Sequence, residues 1–318
     1  MKKKILVTGG AGFIGSHVTK KLLALGHEVV VVDNMNKYYD PALKRARLNE
    51  FKDKITFYEA DIADLPALTE IFEKHNFDTI CHLAAQAGVR YSLSHPEVYQ
   101  RTNVVGTKNV LTLAHTYGIP HVIFASSSSV YGDSRETPFM EEKSLGKPLS
   151  PYAATKQEGE KLCREYAGEY GMNITALRFF TVYGPWGRPD MAPIIFTEKM
   201  LKGETIELFN GGDMKRDFTY IDDIVDGFML ALEKAPAGFE VFNLGRGVPT
   251  PLMDFVSVLE TTLAVKARTI KKPMQPGDMQ ETYASISKAW EVLHFRPKVL
   301  IVEGLQKFVE WYRMYYRL

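Results

Sequence analysis

The segment Lys3-Lys4-Ile5-Leu6-Val7-Thr8-Gly9-Gly10-Ala11-Gly12-Phe13-Ile14-Gly15 leaves this chain few ways to fold. An apolar run that enters a glycine turn and leaves as a helix opens a β-α-β unit. Lys3 to Thr8 reads as a buried strand. His17 to Leu25 carries Val18, Leu22 and Leu25 at helical spacing and stops at Gly26. Glu28-Val29-Val30-Val31-Val32 is then a second strand that closes at Asp33. Gly9 permits the tight turn, Gly12 a close backbone approach, and Gly15 tight packing of helix on sheet. Backbone N–H groups at such a helix start suit a pyrophosphate. A plain glycine turn is the alternative reading, and it leaves the acidic end of the second strand without a purpose. Asp33 can accept both ribose hydroxyls of NAD and repels a 2′-phosphate. Lys37, four residues on, acts in the opposite sense and keeps NADP open.

Strands and helices continue to alternate. Ile55–Tyr58, Thr79–Ala84, His121–Ala125 and Ile174–Phe179 read as strands. Leu65–His75, Val98–Tyr117 and Gln157–Glu169 read as helices. This order predicts an α/β fold with a doubly wound parallel sheet, Rossmann-like. After Phe180 the pattern loosens, with prolines at 185, 189 and 193 and glycines at 203, 211 and 212. We expect residues 1–180 to form a dinucleotide-binding domain and 181–318 a smaller C-terminal α/β lobe for substrate. A strand near 241–244 is expected to return to the main sheet. Leu305, Phe308, Val309 and Tyr312 form an i, i+3, i+4, i+7 stripe that reads as core.

Composition excludes several classes. The 39 Lys and Arg against 38 Asp and Glu leave a net charge of +1, no electrostatic basis for a nucleic-acid or membrane-surface partner. Two cysteines, Cys81 and Cys163, are too few for a disulfide framework and fit a reducing compartment. The N-terminal lysines are followed by too short an apolar run for a signal peptide. A cytoplasmic protein is expected, without a bound metal.

Tyr152-Ala153-Ala154-Thr155-Lys156 lies downstream of the serine tract Ser126–Ser129. Four residues apart on a helix, Tyr152 and Lys156 share a face. A free tyrosine has a pKa near about 10 and is a poor base at neutral pH. A neighbouring ammonium and a nicotinamide's positive charge both favour its phenolate. A serine hydroxyl can orient the substrate oxygen. Alone, a YxxxK pair reads as helix surface. Behind a dinucleotide motif it points to oxidation and reduction at an alcohol carbon.

These motifs resemble the extended short-chain dehydrogenase/reductases, and within them the nucleotide-sugar epimerases. The resemblance spans nearly the whole chain: Thr8–Gly15, Asp61-Ile62, His82–Arg90, Ser126–Gly132, Ser150–Lys156 and Arg216–Asp223. It implies Tyr152, Lys156 and Ser127 as catalytic residues, with Ser126 the alternative register. It implies NAD as cofactor, on Gly9, Gly12, Phe13, Ile14, Gly15, Asp33 and Asn34, with Asp61 and Ile62 beside adenine. Leu83, Ala84, Ala85 and Gln86 would lie along the cofactor, and Asn103 and Phe180 near its nicotinamide half. On the substrate side it implies Arg90, Arg216 at the diphosphate, Asp278 at the nucleotide ribose and Phe209 on uracil. The ordinary readings are a solvated Arg216, a turn Asp278 and a core Phe209. Ser285 stands where such relatives usually have aspartate.

Thr181 to Ala192 resembles the matching segment of UDP-glucuronate 4-epimerases, which implies Thr181 and Arg188 near a sugar carboxylate. A loop pair of Arg188 with Asp190 is the rival reading. The expected substrates are UDP-glucuronate and UDP-galacturonate. UDP-glucuronate decarboxylase, UDP-glucose 4-epimerase and a non-catalytic NAD-binding regulator are the alternatives. A 4,6-dehydratase would need an acidic pair where Ser128 and Ser129 stand. The resemblance also implies a homodimer through the helices at 98–117 and 157–169.

Overall fold

The computed structural model describes residues 2–275 and 277–318. Six strands, β1 (Lys4–Thr8), β2 (Glu28–Asp33), β3 (Thr56–Glu59), β4 (Thr79–His82), β5 (His121–Ser127) and β6 (Asn173–Phe179), join a seventh, Phe239–Leu244, in one sheet. From one edge the order is Phe239–Leu244, β6, β5, β4, β1, β2, β3, and every pairing is parallel. The fold is therefore the expected doubly wound Rossmann-like sheet.

The strands are apolar on both faces because helices cover both. Side-chain alternation divides them between two cores. Ile5, Val7, Val29 and Val31 pack with Val18 and Leu22 of α1 (Phe13–Ala24) and with Ile224 and Phe228 of helix Ile221–Lys234. Leu6, Val30 and Val32 pack on the other face, with Leu68, Val110, Leu111, Leu162 and Cys163. The predicted helix at 98–117 is interrupted. Its turn at Gln100–Val105 is widened to a π-helix before the α-helix Gly106–Thr116. Asn103 sits in that wide turn, turned inward and buried.

Outside this sheet, short strands pair among themselves. Thr181–Tyr183 pairs with Phe218–Tyr220, Thr205–Phe209 with Arg268–Lys272, and Lys215–Arg216 with both Thr250–Pro251 and Glu281–Thr282. Buried Asp217 ties this region together, accepting from the backbone N–H of Arg246, Gly247 and Ala284. The sheet reverses its order between β1 and β4, and a crevice at such a point is where ligands bind.

Candidate active site

Everything at this crevice starts from the glycine turn. Gly9 has φ +72, and a Cβ there would stand 2.6 Å from the Ala84 nitrogen. At Gly15 a Cβ would stand 2.1 Å from the Gly9 carbonyl oxygen. No larger residue fits either place. The first i→i−4 bond of α1 runs from Ser16 N to Gly12 O. The N–H groups of Phe13, Ile14 and Gly15 precede it and stay free for an anion at the positive end of the helix. These residues line one cavity with Gly9, Gly12, Asp33, Asn34, Ile62, Leu83, Ala84, Ala85 and Gln86. The glycine cradle and the acidic β2 end fit a dinucleotide.

The far wall of that cavity holds Ser127, Tyr152, Lys156, Phe180 and Arg188. Ser150 caps the helix Pro151–Tyr170 by accepting from Ala153 N at 3.1 Å, which sets Tyr152 and Lys156 on its first turns. Ser127 and Ser126 divide their work. Ser127 ends β5, caps the next turn through Ser129 N, and lies close enough to the Tyr152 phenol to lower its pKa. Ser126 is buried and gives its hydroxyl to Glu160. That geometry favours Ser127 as the serine facing a substrate.

The electrostatics differ from the expectation. Burial pushes the Tyr152 phenol up, while Ser127 and then Arg188 pull it back. The Lys156 ammonium is not among the groups that shift Tyr152. Lys156 instead donates to the Ala125 carbonyl at 2.7 Å and lies 5.1 Å from the Phe124 ring centroid. Its own pKa is pushed down by burial to about 8. Ser127 and Arg188 thus oppose the burial that raises the phenol.

That burial yields a stability prediction. The folded pKa of Lys156, about 8, lies below its unfolded value of 10.5. The protein thus holds an ammonium against its preference below pH 8, and this cost fades as pH rises from 8 toward 10.5. Each pH unit is about 1.4 kcal/mol. The lost hydrogen bond returns roughly 1 kcal/mol. Lys156→Met should gain about 2 kcal/mol at pH 7, with the gain shrinking by pH 10. Urea unfolding at both pH values checks this. A variant less stable than wild type at pH 7 contradicts it.

Arg188 forms the loop pair of the rival reading. Its Nε and Nη2 donate to Asp190 at 3.0 and 2.6 Å. Tyr38 donates to the same carboxylate at 3.0 Å. Burial would raise the Asp190 carboxyl, but Arg188 beside it outweighs this and holds it below the usual range. Nη1 has no hydrogen bond among the described residues, so a second donor edge remains. The loop pair and a carboxylate site are therefore compatible.

Other expected residues lie elsewhere. Asp61 does not line the cavity and pairs with Arg101 at 3.1 Å. Asn103 stands behind the wall, bonding Gln86 O, Gln86 N and Thr155 Oγ1. Thr181 sits half-buried between two lining residues, Phe180 and Val182, without lining the cavity itself. A second group lies outside this cavity: Arg90 stacks 4.9 Å over the Phe209 ring, and Arg216 approaches Asp278 at 3.9 Å.

Three residues escaped the sequence reading. Tyr38, Lys44 and Arg47 follow β2. Arg47 is 1% exposed and donates to Ala11 O, Trp186 O and Gly187 O, so it ties the glycine turn to the Arg188 loop. Lys44 lies against Asp33 at 3.3 Å, whereas Lys37 is exposed. A signal existed: helix Pro41–Asn49 buries Leu43, Lys44, Arg47 and Leu48, so two bases occupy its inner stripe.

With this geometry in hand, the relatives agree. Residues 5–245 match the model of the NAD dependent epimerase/dehydratase family. UDP-glucuronate 4-epimerase 4 of Arabidopsis thaliana is 46% identical, over 98% of this chain and 76% of that protein. Protein CapI of Staphylococcus aureus is 41% identical, over 99% of each. The crystal structure of UDP-glucuronic acid 4-epimerase from Bacillus cereus, with UDP-glucuronic acid and NAD, matches with a TM-score of 0.91 at 36% identity, covering 98% of this chain and 100% of that one. A UDP-glucose 4-epimerase from Thermotoga maritima, with UDP-glucose, matches equally, at 0.91 and 36%, covering 98% and 99%. From its glycine cradle to its Tyr152–Lys156 helix, this chain belongs to the NAD dependent epimerase/dehydratase family.

Proposed function

We propose that this protein interconverts UDP-glucuronate and UDP-galacturonate by transient oxidation at C4 with NAD. The observation that carries this reading is Arg188, a guanidinium with a free edge in the same cavity as Tyr152 and Ser127. A sugar carboxylate is the ligand such an edge suits. Both the Arabidopsis and the Bacillus relatives act on that sugar acid by name.

Residues 1–180, with the returning strand, serve as the cofactor domain and 181–318 as the sugar-nucleotide lobe. Gly9, Gly12, Phe13, Ile14 and Gly15 would hold the pyrophosphate and Asp33 and Asn34 the adenosine ribose. Ile62 would flank adenine, with Asp61 beside it and outside the cavity, and Leu83 to Gln86 and Phe180 would line the remainder, with Asn103 bracing Gln86 from behind. When bound, NAD accepts the C4 hydride and returns it to the opposite face of the ketone. Tyr152 takes the proton of the C4 hydroxyl and later gives it back. Ser127 bonds that oxygen and holds it in line. Lys156 steadies the nicotinamide ribose. Arg90, Phe209, Arg216 and Asp278 are assigned to the UDP group. Between the two half-reactions the ketone turns over about its diphosphate link.

The ketone of a uronate is a β-keto acid, which loses CO2 when its C5–carboxyl bond aligns with the carbonyl π-system. Arg188 on the cavity wall is assigned the task of holding the carboxylate out of that alignment, with half-buried Thr181, just outside that wall, assigned as a second donor to a carboxylate lying at its edge. Arg188→Ala removes a charge-assisted bond worth about 1.5–3 kcal/mol, or roughly 10- to 150-fold in the uronate specificity constant. UDP-glucose turnover should change far less. An equal loss for both sugars would make Arg188 a loop residue and remove the main support for a uronate. Thr181→Ala should release CO2 and leave reduced cofactor on the protein.

We also infer a homodimer in the cytoplasm. Exposed Val105 and Tyr170 on the helical regions at 96–116 and 151–170, and Tyr117 just after the first, support the pairing. Two free, buried cysteines support a reducing compartment. Sedimentation at micromolar concentration should give twice the 36.0 kDa chain mass; a monomer mass refutes the pairing.

A further inference from the structure

Lys44 has no part in the proposed reaction, yet it is buried against the residue that reads the cofactor's ribose. Its ammonium lies 3.3 Å from Asp33 Oδ1 and 3.2 Å from Asn36 Oδ1. Both Lys44 and Asp33 have side chains only 6% exposed. Asp33 also accepts from Met35 N at 2.9 Å and from Ala11 N at 3.2 Å. The carboxylate is thereby fixed at the end of β2, with Lys44 beside it and both lining the cavity. One of the three ammonium protons of Lys44 has no acceptor among the described residues.

In this fold the acid closing the second strand meets the ribose 2′ position, and a basic neighbour is what accommodates a 2′-phosphate. Asp33 and Lys44 therefore make opposite demands at one place. The carboxylate repels a phosphate dianion, and the ammonium attracts it as a compact charge. Their ion pair cancels much of both fields.

We propose that Lys44 is a specificity-determining residue of the cofactor site: it softens the rejection of NADP by Asp33 and is itself a latent 2′-phosphate donor. The inference rests on the dinucleotide reading of this cavity and is independent of which sugar the protein acts on. Two consequences follow. Without Lys44, the bare carboxylate rejects NADP more strongly. Without the charge of Asp33, Lys44 is released and NADP binds.

The test is calorimetric titration of NAD-stripped protein with NAD and NADP, with circular dichroism to establish folding. Lys44→Met should raise the ratio of NADP to NAD dissociation constants at least about 5-fold. Asp33→Asn should tighten NADP at least about 30-fold while weakening NAD. Asp33→Asn with Lys44→Met should lose at least about 10-fold of that NADP gain, with NAD within about 3-fold of the Asp33→Asn value. Asp33→Asn with Lys37→Met should keep the gain. The proposal is overturned if Lys44→Met leaves the ratio unchanged, if the Asp33 variant gains NADP equally without Lys44, or if Lys37 proves to be the donor. Should Asp33→Asn not fold, the Lys44→Met ratio decides alone. Wild-type protein that binds neither dinucleotide would sink the cavity reading itself, a different result from NAD binding without the switch.

Discussion

Tyr152→Phe is expected to lower epimerisation by at least the roughly 10²–10⁴-fold typical of a lost acid–base group, with NAD still bound. The substitution removes one oxygen and keeps the ring. That ring lies 6.0 Å from Tyr99 in an edge contact, which phenylalanine can also make. The phenol's own pKa is raised by burial, so the fold does not depend on its ionisation. Ser127 still caps Ser129 N without it. Folding, read by circular dichroism, and cofactor content, read in the denatured extract, should match wild type. Activity within a few-fold of wild type would exclude Tyr152 as the base.

Glu160→Gln should cost about 3–5 kcal/mol of stability, because it strands a buried guanidinium. Glu160 and Arg178 have side chains 5% and 3% exposed and meet through two bonds, of 2.8 and 2.7 Å. Burial alone would lower the Arg178 pKa, and the Glu160 carboxylate outweighs it. Arg178 also donates to the Tyr131 hydroxyl at 2.9 Å, which donates to Asn243 at 2.7 Å. The network thus joins β5, β6, the Tyr152–Lys156 helix and the returning strand directly behind Ser127. Replacing both partners, Glu160→Leu with Arg178→Met, should recover most of the loss, since apolar residues of similar volume need no ion pair. Chemical denaturation measures both variants. A loss below about 1 kcal/mol for the single change would mean that water reaches Arg178, and the buried reading would fail.

Why were some of these features visible in the sequence and others not? The sheet was legible because its signals are local. Glycine spacing, an apolar β1 and β2 and the acidic Asp33 all lie within 33 residues. Tyr152 and Lys156 were legible because four residues on a helix fix a shared face whatever surrounds them. The ties across the site were not. Arg47 reaches Trp186 and Gly187, Tyr38 reaches Asp190, and Tyr131 reaches Asn243, each more than 100 residues away. No periodicity records such a contact. Lys37 and Lys44 show the same limit. Both follow Asp33 closely, and only the helix at Pro41–Asn49 decides that Lys44 turns inward. Thr181 shows it again, since only the folded chain places Phe180 and Val182, rather than Thr181, on the cavity wall.

The central claim is a closed redox cycle at C4 of a uronate, and one incubation tests it most directly. Purified protein with UDP-glucuronate and no added reductant should produce UDP-galacturonate, followed by proton NMR of the sugar, with no CO2 and no net change in bound NAD. Formation of UDP-pentose with CO2 would make the protein a decarboxylase. UDP-glucuronate recovered unchanged, while UDP-glucose is turned over, would contradict the uronate assignment outright.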